Sequence, residues 1–314
     1  MVWVIGADGL LGREVIKALK GKNIPCVGTD KEVDAENFSL LETFLKKTEN
    51  ENYYSHRKFK NPNDGKITWI VNCASLSDYR ECEENPEKAE AANAKAALNI
   101  ARLSHDNGAK MIHVSTSYVF GGDNAKSMKE NDGKDPFGVF GKTKALGEDY
   151  VRSSLSRCYI IRTSKIFGEK KGTFVPSLIR AMAKNPELHA IKDSSESFTS
   201  AKDLASFIVL AIEKSDGAKK LFGKKSAPSY GVYNFANSGS ASLFEFVKEV
   251  SEIAKKIGIV KNEINVLPSD ITDNGTNLQY PKNLVLDSSL TEKEFKIKIP
   301  SWHEGLKKIF GGMR

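Results

Sequence analysis

The stretch VIGADGLLGREV, residues 4–15, restricts the fold more than any other part of the chain. An apolar run stops at Gly6, and Gly9 and Gly12 follow before helical periodicity sets in. Glycines so placed permit a tight strand-to-helix turn. They also let backbone N–H groups approach an anion, which then rests at the positive end of the helix. The same glycines could serve helix-against-strand packing alone. Context favours a dinucleotide site: a strand precedes the loop, a helix follows it, and Asp30 ends the second strand about 20 residues on, where a carboxylate can bind ribose hydroxyls. The expected cofactor contacts are Gly6, Asp8, Gly9, Leu10, Leu11 and Gly12, with Asp30 and Lys31 at the ribose. Asp30 would repel a 2′-phosphate and Lys31 would attract it, so NAD and NADP both stay open as the cofactor.

Strand-like apolar runs alternate with helical periodicity through the first half: VWVIGA, a helix over 10–20, IPCVGTD, a helix over 40–47. Such alternation builds βαβ units and a parallel sheet. Residues 48–66, TENENYYSHRKFKNPNDGK, break it with a polar, turn-rich stretch longer than an ordinary connection, and read as an inserted surface loop. ITWIVNCAS, a helix within 86–105, KMIHVSTS, a helix over 141–154, CYIIRTS and a helix over 203–214 complete the sheet-forming set. After about residue 230 the character changes, and Ser242 with Glu245 makes a capping box before apolar periodicity over 246–257. The expected architecture is α/β. A Rossmann-type doubly wound parallel sheet takes residues 1–168 and 201–229, and a smaller mixed α/β substrate-binding lobe takes 169–200 and 230–314.

Composition removes several classes of function. No apolar run approaches the roughly 20 residues that a bilayer requires, so no membrane span is expected. The first residues enter a strand pattern without the basic flank and small-residue cleavage site of an export signal, and a cytoplasmic location is expected. The net charge of +7 is spread over short lysine pairs rather than gathered with aromatics, which describes a solvated surface and not a nucleic-acid partner. Cys26, Cys73, Cys82 and Cys158 form no CxxC pair, and His56, His105, His113, His189 and His303 show no ligand spacing, so no metal is expected. Glu81, Glu83 and Glu84 open a helix, where its dipole is a sufficient reason for them.

Chemistry concentrates in two later stretches. HVSTSYVFGG, residues 113–122, is a strand ending in hydroxyl side chains, and PFGVFGKTKALGE, residues 136–148, turns into a helix. Positions four apart on a helix share one face, so Phe140 and Lys144 reach one ligand together.

The GxxGxxG spacing resembles the extended short-chain dehydrogenase/reductases. In that group a serine or threonine holds the substrate carbonyl, a tyrosine protonates it, and a lysine one turn later lowers the tyrosine pKa and binds the nicotinamide ribose. The resemblance narrows with STSYVF, NCASLSDYRECEENPEKAEAANAKAALNIA, RTSKIFGEKKGTFV, YNFANSGSASLFEF and PKNLVLDSSLTEKEFKIKIPSWHEGL, which lie in the order and spacing of dTDP-4-dehydrorhamnose reductases. It covers nearly the whole chain apart from 48–66. It implies NAD(P)H-dependent reduction of a 4-keto-6-deoxysugar carried on a nucleotide diphosphate, by a possible homodimer. Thr116 matches the carbonyl-binding threonine and Lys144 the lysine. Asn72, Cys73, Ala74 and Ser75 match the segment beside the cofactor, Arg162 and Thr163 the floor of the site, and Ser77, Ser117 and Lys165 the substrate side.

The departures are specific. Phe140 stands at the catalytic tyrosine, Ser117 at an aspartate, Lys165 at a tryptophan, and DSSESFT, residues 193–199, at a segment resembling DQxGxPT. Phenylalanine fills a tyrosine's volume and has no proton to give, and loss of a general acid costs about 10²–10⁴ in rate. Substitutes are Tyr118, which strand alternation would place on the side of Thr116, and Lys144 acting through water. Tyr54, four residues before Lys58, falls in the polar stretch. The alternative to a reductase is a catalytically impaired homologue that binds dinucleotide or nucleotide sugar for a regulatory or partner-binding role, as the regulatory β subunit of methionine adenosyltransferase does in the same family. An epimerase or dehydratase reading meets the same missing tyrosine.

Overall fold

The computed structural model describes residues 1–55, 65–122, 126–217, 227–273 and 279–312. The chain opens β1 (Val2–Ile5), α1 (Leu10–Gly21), β2 (Cys26–Thr29), α2 (Phe38–Ser55), β3 (Trp69–Asn72), α3 (Tyr79–Glu84), α4 (Pro86–Glu90) and α5 (Ala96–Asp106). It continues with β4 (Lys110–Thr116), α6 (Gly138–Ser154), β5 (Cys158–Thr163), β6 (Ile166–Phe167), α7 (Phe174–Lys184), β7 (Glu187–Ile191), β8 (Ser195–Glu196), β9 (Thr199–Ser200) and α8 (Ala201–Asp216). Last come β10 (Gly231–Asn234), α9 (Leu243–Lys256), β11 (Asn265–Ser269), β12 (Asn283–Leu284), α10 (Ser289–Phe295) and α11 (Trp302–Gly312).

Six strands form one parallel sheet in the order β10-β5-β4-β3-β1-β2. Both its faces are covered, which is why VWVI, WIVN and CYIIRT are buried at every position. One face packs Val15 and Leu19 of α1, Leu204 and Ile208 of α8 and Phe295 of α10. The other packs Leu41 and Leu45 of α2, Ile100 of α5 and Val151 of α6. From β1 the chain goes to β2 on one side and then to β3 on the other. The crevice outside the strand ends, between β1 and β3, is therefore the topological switch point at which open α/β sheets bind ligands. A third core holds Phe167, Phe198, Phe246 and Trp302 among α7, α9 and α11, with the rings of Phe198 and Phe246 stacked 4.0 Å apart. The Ser242–Glu245 capping box starts α9 as its sequence requires.

Three local expectations need correction. The stretch 48–66 is not a loop throughout, because α2 continues to Ser55, held in part by Glu49, whose carboxylate accepts the Ile67 amide at 2.8 Å. His56 and Lys58 lie outside the described residues, as does the side chain of Tyr54. The helix expected within 86–105 carries a π-helical turn at Ala91–Lys95 between α4 and α5. Helix α6 starts at Gly138, not 141, so Phe140 belongs to its first turn.

Arg162, on the strand expected to line the floor of the site, is itself buried in the core. Its guanidinium reaches across from β5 to Glu148 of α6, with Nε donating to Oε1 at 2.9 Å and Nη2 to Oε2 at 2.7 Å. Ser115 Oγ of β4 adds a third bond to Oε1 at 2.6 Å. Glu148 is 0% and Arg162 2% exposed, so this bidentate pair sits wholly in the core. Removing one partner leaves an uncompensated buried charge. Glu148→Ala is expected to destabilise the protein by about 3–5 kcal/mol, measured as a shift of the urea unfolding midpoint. A loss below 1 kcal/mol would show that the arginine finds solvent without the pair.

Candidate active site

The glycine loop follows β1 with Gly6 at φ +79°, a conformation that glycine adopts without strain. A Cβ there would meet the Ala74 amide nitrogen at 2.6 Å, and one on Gly12 would meet the Gly6 carbonyl oxygen at 2.1 Å. Both glycines are therefore required by close backbone approach, Gly6 to the segment after β3 and Gly12 to the loop after β1. Gly9 is the N-cap of α1 and has no side chain to satisfy the first-turn amides, which leaves the helix mouth as an anion site. Asp30 stands at the rim beyond β2, where its carboxylate accepts the Asp8 amide at 3.0 Å and the Lys31 amide at 3.1 Å. Lys31 is exposed beside it. Asp8 is exposed at the loop tip, Leu10 is half-buried, and Leu11 points into the sheet core, so only the backbone of Leu11 faces a ligand. The sequence reading missed Lys170, whose Nζ donates to the Asp8 carbonyl at 2.6 Å and puts a cation beside the helix mouth. These residues fit a dinucleotide: glycines where a Cβ would fill the cradle, a helix N-terminus for pyrophosphate, an acid for ribose.

The segment after β3 is held by side chains. Asn72 accepts the Ala74 amide at 3.0 Å and donates from Nδ2 to His113 Nδ1 at 3.1 Å. Burial holds the His113 pKa well below its usual value, and the charge of Lys144 adds to the effect. The ring is neutral, and with Nδ1 accepting it carries its proton on Nε2. Cys73 is half-buried, and burial of its thiol pushes the pKa up to about 12 despite the opposing charge of Lys144. It is no nucleophile. Ser75 and Ser77 are exposed, and Ser75 Oγ donates to Asn93 Oδ1 at 2.9 Å.

Asn93 is the second residue that sequence reading missed. It lies in the π-helical turn, accepts the Leu76 amide at 2.9 Å as well, and donates to the Leu76 carbonyl at 3.1 Å and to Thr143 Oγ1 at 3.1 Å. One buried amide thus ties the segment after β3 to α6. Gly147 lets the two backbones meet, since a Cβ on it would lie 2.5 Å from the Asn93 carbonyl oxygen.

Helix α6 begins in an unusual way. Gly138 has φ +62°, and Glu83 of α3 accepts the Val139 amide at 2.6 Å, so a carboxylate from another helix caps it. This corrects the role expected for Glu83, which is not confined to the dipole of its own helix. Lys144, 2% exposed, donates from Nζ to the Val114 carbonyl at 2.7 Å, two residues before Thr116. Burial lowers its pKa to about 8, partly opposed by Glu148 and Cys73. Thr116 ends β4, and its hydroxyl oxygen accepts the Tyr118 amide at 3.3 Å. Lys144 thus reaches β4 two residues before the strand ends at Thr116.

Tyr118 is not placed by strand alternation, because the chain leaves β4 at Thr116 and turns through a short 3-10 segment, Ser117–Val119. Its ring stands edge-on to Phe140 with centroids 5.4 Å apart and joins Tyr79 and Tyr280 in one aromatic cluster. Burial, and after it the charge of Glu196, pushes the Tyr118 pKa far up, so the hydroxyl keeps its proton. Of the substrate-side residues, Ser117 is fully buried and Lys165 is partly exposed at the end of β5.

The whole chain, residues 1–314, matches the family model described as the RmlD substrate binding domain. The chain belongs to that family. Its relatives include dTDP-4-dehydrorhamnose reductase of Escherichia coli, 30% identical over 246 residues, or 76% of this chain and 78% of that protein. Spore coat polysaccharide biosynthesis protein SpsK of Bacillus subtilis is 29% identical over 98% of this chain and 95% of its own. Among solved structures, dTDP-4-dehydrorhamnose reductase of Bacillus anthracis in complex with NADP superposes with a TM-score of 0.84 at 27% identity, covering 99% of this chain and 98% of that one.

Within the family fold, Asn93 is the joint between the cofactor side and α6, and its four bonds make its effect measurable. Asn93→Ala is expected to weaken NADP binding about tenfold, the equivalent of roughly 1.4 kcal/mol, in calorimetry, with the protein still folded by circular dichroism. Unchanged affinity would mean that the segment after β3 holds its shape without the amide.

Proposed function

We propose that the protein is an NAD(P)-dependent reductase of a nucleotide-linked 4-keto-6-deoxysugar, acting in the cytoplasm in deoxysugar and polysaccharide synthesis. The observation that carries this is the bond from the buried Lys144 to the Val114 carbonyl of β4, two residues before Thr116, together with a glycine cradle at the sheet's switch point. The names of the relatives supply the substrate class. Among the described residues no helix is long and apolar enough to cross a membrane.

In this reading the bound cofactor supplies a hydride, and the chain's own residues manage the oxygen. Thr116 Oγ donates to the sugar carbonyl, which polarises it. The carbonyl oxygen must also gain a proton, and Phe140 has none. Tyr118 holds its proton too tightly. Lys144, with a pKa of about 8, is the one ammonium here matched to neutral pH, and it is the proton source in this reading. Because the acid form is required, kcat is expected to be flat below pH 8 and to fall about tenfold per unit above it. A pH–rate profile level from 7 to 10 would remove Lys144 from that role.

Phe140 favours a second reading, that of an impaired homologue binding the same ligands for a partner. Oxidation of NADH and NADPH with dTDP-4-keto-6-deoxysugars separates the two. The reductase reading expects slow turnover by the unaltered protein and a rise of about 10²–10⁴ for Phe140→Tyr. Turnover confined to Phe140→Tyr would establish an intact pocket that lacks only its acid, and the binding reading would then hold for the natural chain.

A further inference from the structure

Lys165 leaves the end of β5 and pairs with Glu196 of β8, Nζ to Oε1 at 3.1 Å. The two side chains are unequally covered: Lys165 is 30% exposed and Glu196 10%. The ammonium also lies 5.7 Å above the ring of Phe174 of α7, so it is held from two sides while staying partly exposed. Glu196 is fixed from behind, because its amide and carbonyl both bond to Ala241, at 2.9 and 3.0 Å. Its second carboxylate oxygen, Oε2, is buried and has no protein partner among the described residues, and the same holds for Ser117 Oγ and Ser164 Oγ. Thr116 pairs with Thr163 at the ends of β4 and β5, Ser117 and Ser164 are the residues that follow each strand, and Lys165 follows Ser164. The charge of Glu196 also acts on the Tyr118 hydroxyl.

A buried carboxylate oxygen without a partner is costly, so Glu196 Oε2, beside the partly exposed Lys165, calls for a donor that satisfies it. A cation donor beside an anionic acceptor is the pattern that one hydroxyl completes, accepting from the ammonium and donating to the carboxylate. We infer that Lys165 and Glu196 form a specificity pair that recognises a ring hydroxyl of the hexose in the nucleotide sugar. This rests on the substrate class proposed above and adds which atoms select the sugar. The pair takes no part in moving the hydride or the proton. Two of the chain's departures from its family pattern, Lys165 and the DSSESFT segment, are one feature seen from its two ends.

Calorimetry on the NADP-loaded protein with dTDP and with dTDP-glucose tests this. The unaltered protein is expected to bind dTDP-glucose at least tenfold more tightly than dTDP. Glu196→Gln and Lys165→Met should each remove about tenfold of that, which is the scale of one hydrogen bond to a charged group, and leave dTDP within twofold. Lys165→Arg, which keeps the charge, should retain most of the discrimination and guards against a folding defect in Lys165→Met. Equal affinity of the unaltered protein for dTDP and dTDP-glucose would overturn the pair's role, as would substitutions that weaken both ligands alike or neither. Failure of the unaltered protein to bind dTDP at all would instead overturn the substrate class and take the pair's role with it.

Discussion

The buried bond between Glu148 and Arg162 sets the rotation of α6 on the sheet, and the site depends on that rotation. Glu148 lies one turn beyond Lys144, on the same face. With its carboxylate clamped by Arg162 of β5 and Ser115 of β4, that face is turned inward and Lys144 is delivered to the Val114 carbonyl. Thr143, next to the lysine, then meets Asn93, and Gly147 makes room for the contact. A charge pair so deep contributes modestly to net stability compared with a well-packed apolar pair. Its use here is orientation, since two parallel hydrogen bonds to a planar guanidinium allow one setting of the helix.

Phe140, in the first turn of α6, leaves this scaffold in place. Its ring packs edge-on against Tyr118. Burial lowers the Lys144 pKa to about 8 against the opposing charges of Glu148 and Cys73. Lys165 and Glu196 put a charged donor and acceptor at the ends of β5 and β8. In the proposed reductase, proton supply and sugar recognition then fall to different residues, on different elements.

Much of the fold was legible because its signals are local. Gly6, Gly9, Gly12 and Asp30 are read from spacing along one βαβ unit, and the sheet strands from unbroken apolar runs. The same holds for the Ser242–Glu245 cap and for the family, whose model spans the chain. What failed did so where a neighbour overrode local preference. Polarity made residues 48–55 look like loop, yet Glu49 is satisfied by an amide of a distant segment and the helix runs on. Alternation placed Tyr118 beside Thr116, but the strand ends first. Arg162 lies on the strand expected to line the site floor, and its partner Glu148 had a signal that went unused, the four-residue spacing from Lys144. Asn93, Lys170 and Glu196 carried no spacing signal, because each acts on a segment 17 or more residues away.

The sequence by itself determined the α/β alternation, the glycine cradle, the family and the absence of a hydroxyl at Phe140. These are properties of residue type and short-range spacing, and no later folding step can add a proton donor to a phenylalanine. Only the tertiary structure decided that Lys144 is buried and its pKa lowered, that the Tyr118 pKa is raised, that Glu83 caps a helix other than its own, and that Lys165 meets Glu196. Each of these is a matter of desolvation or of contact between distant segments. Both depend on which surfaces the packed sheet brings together.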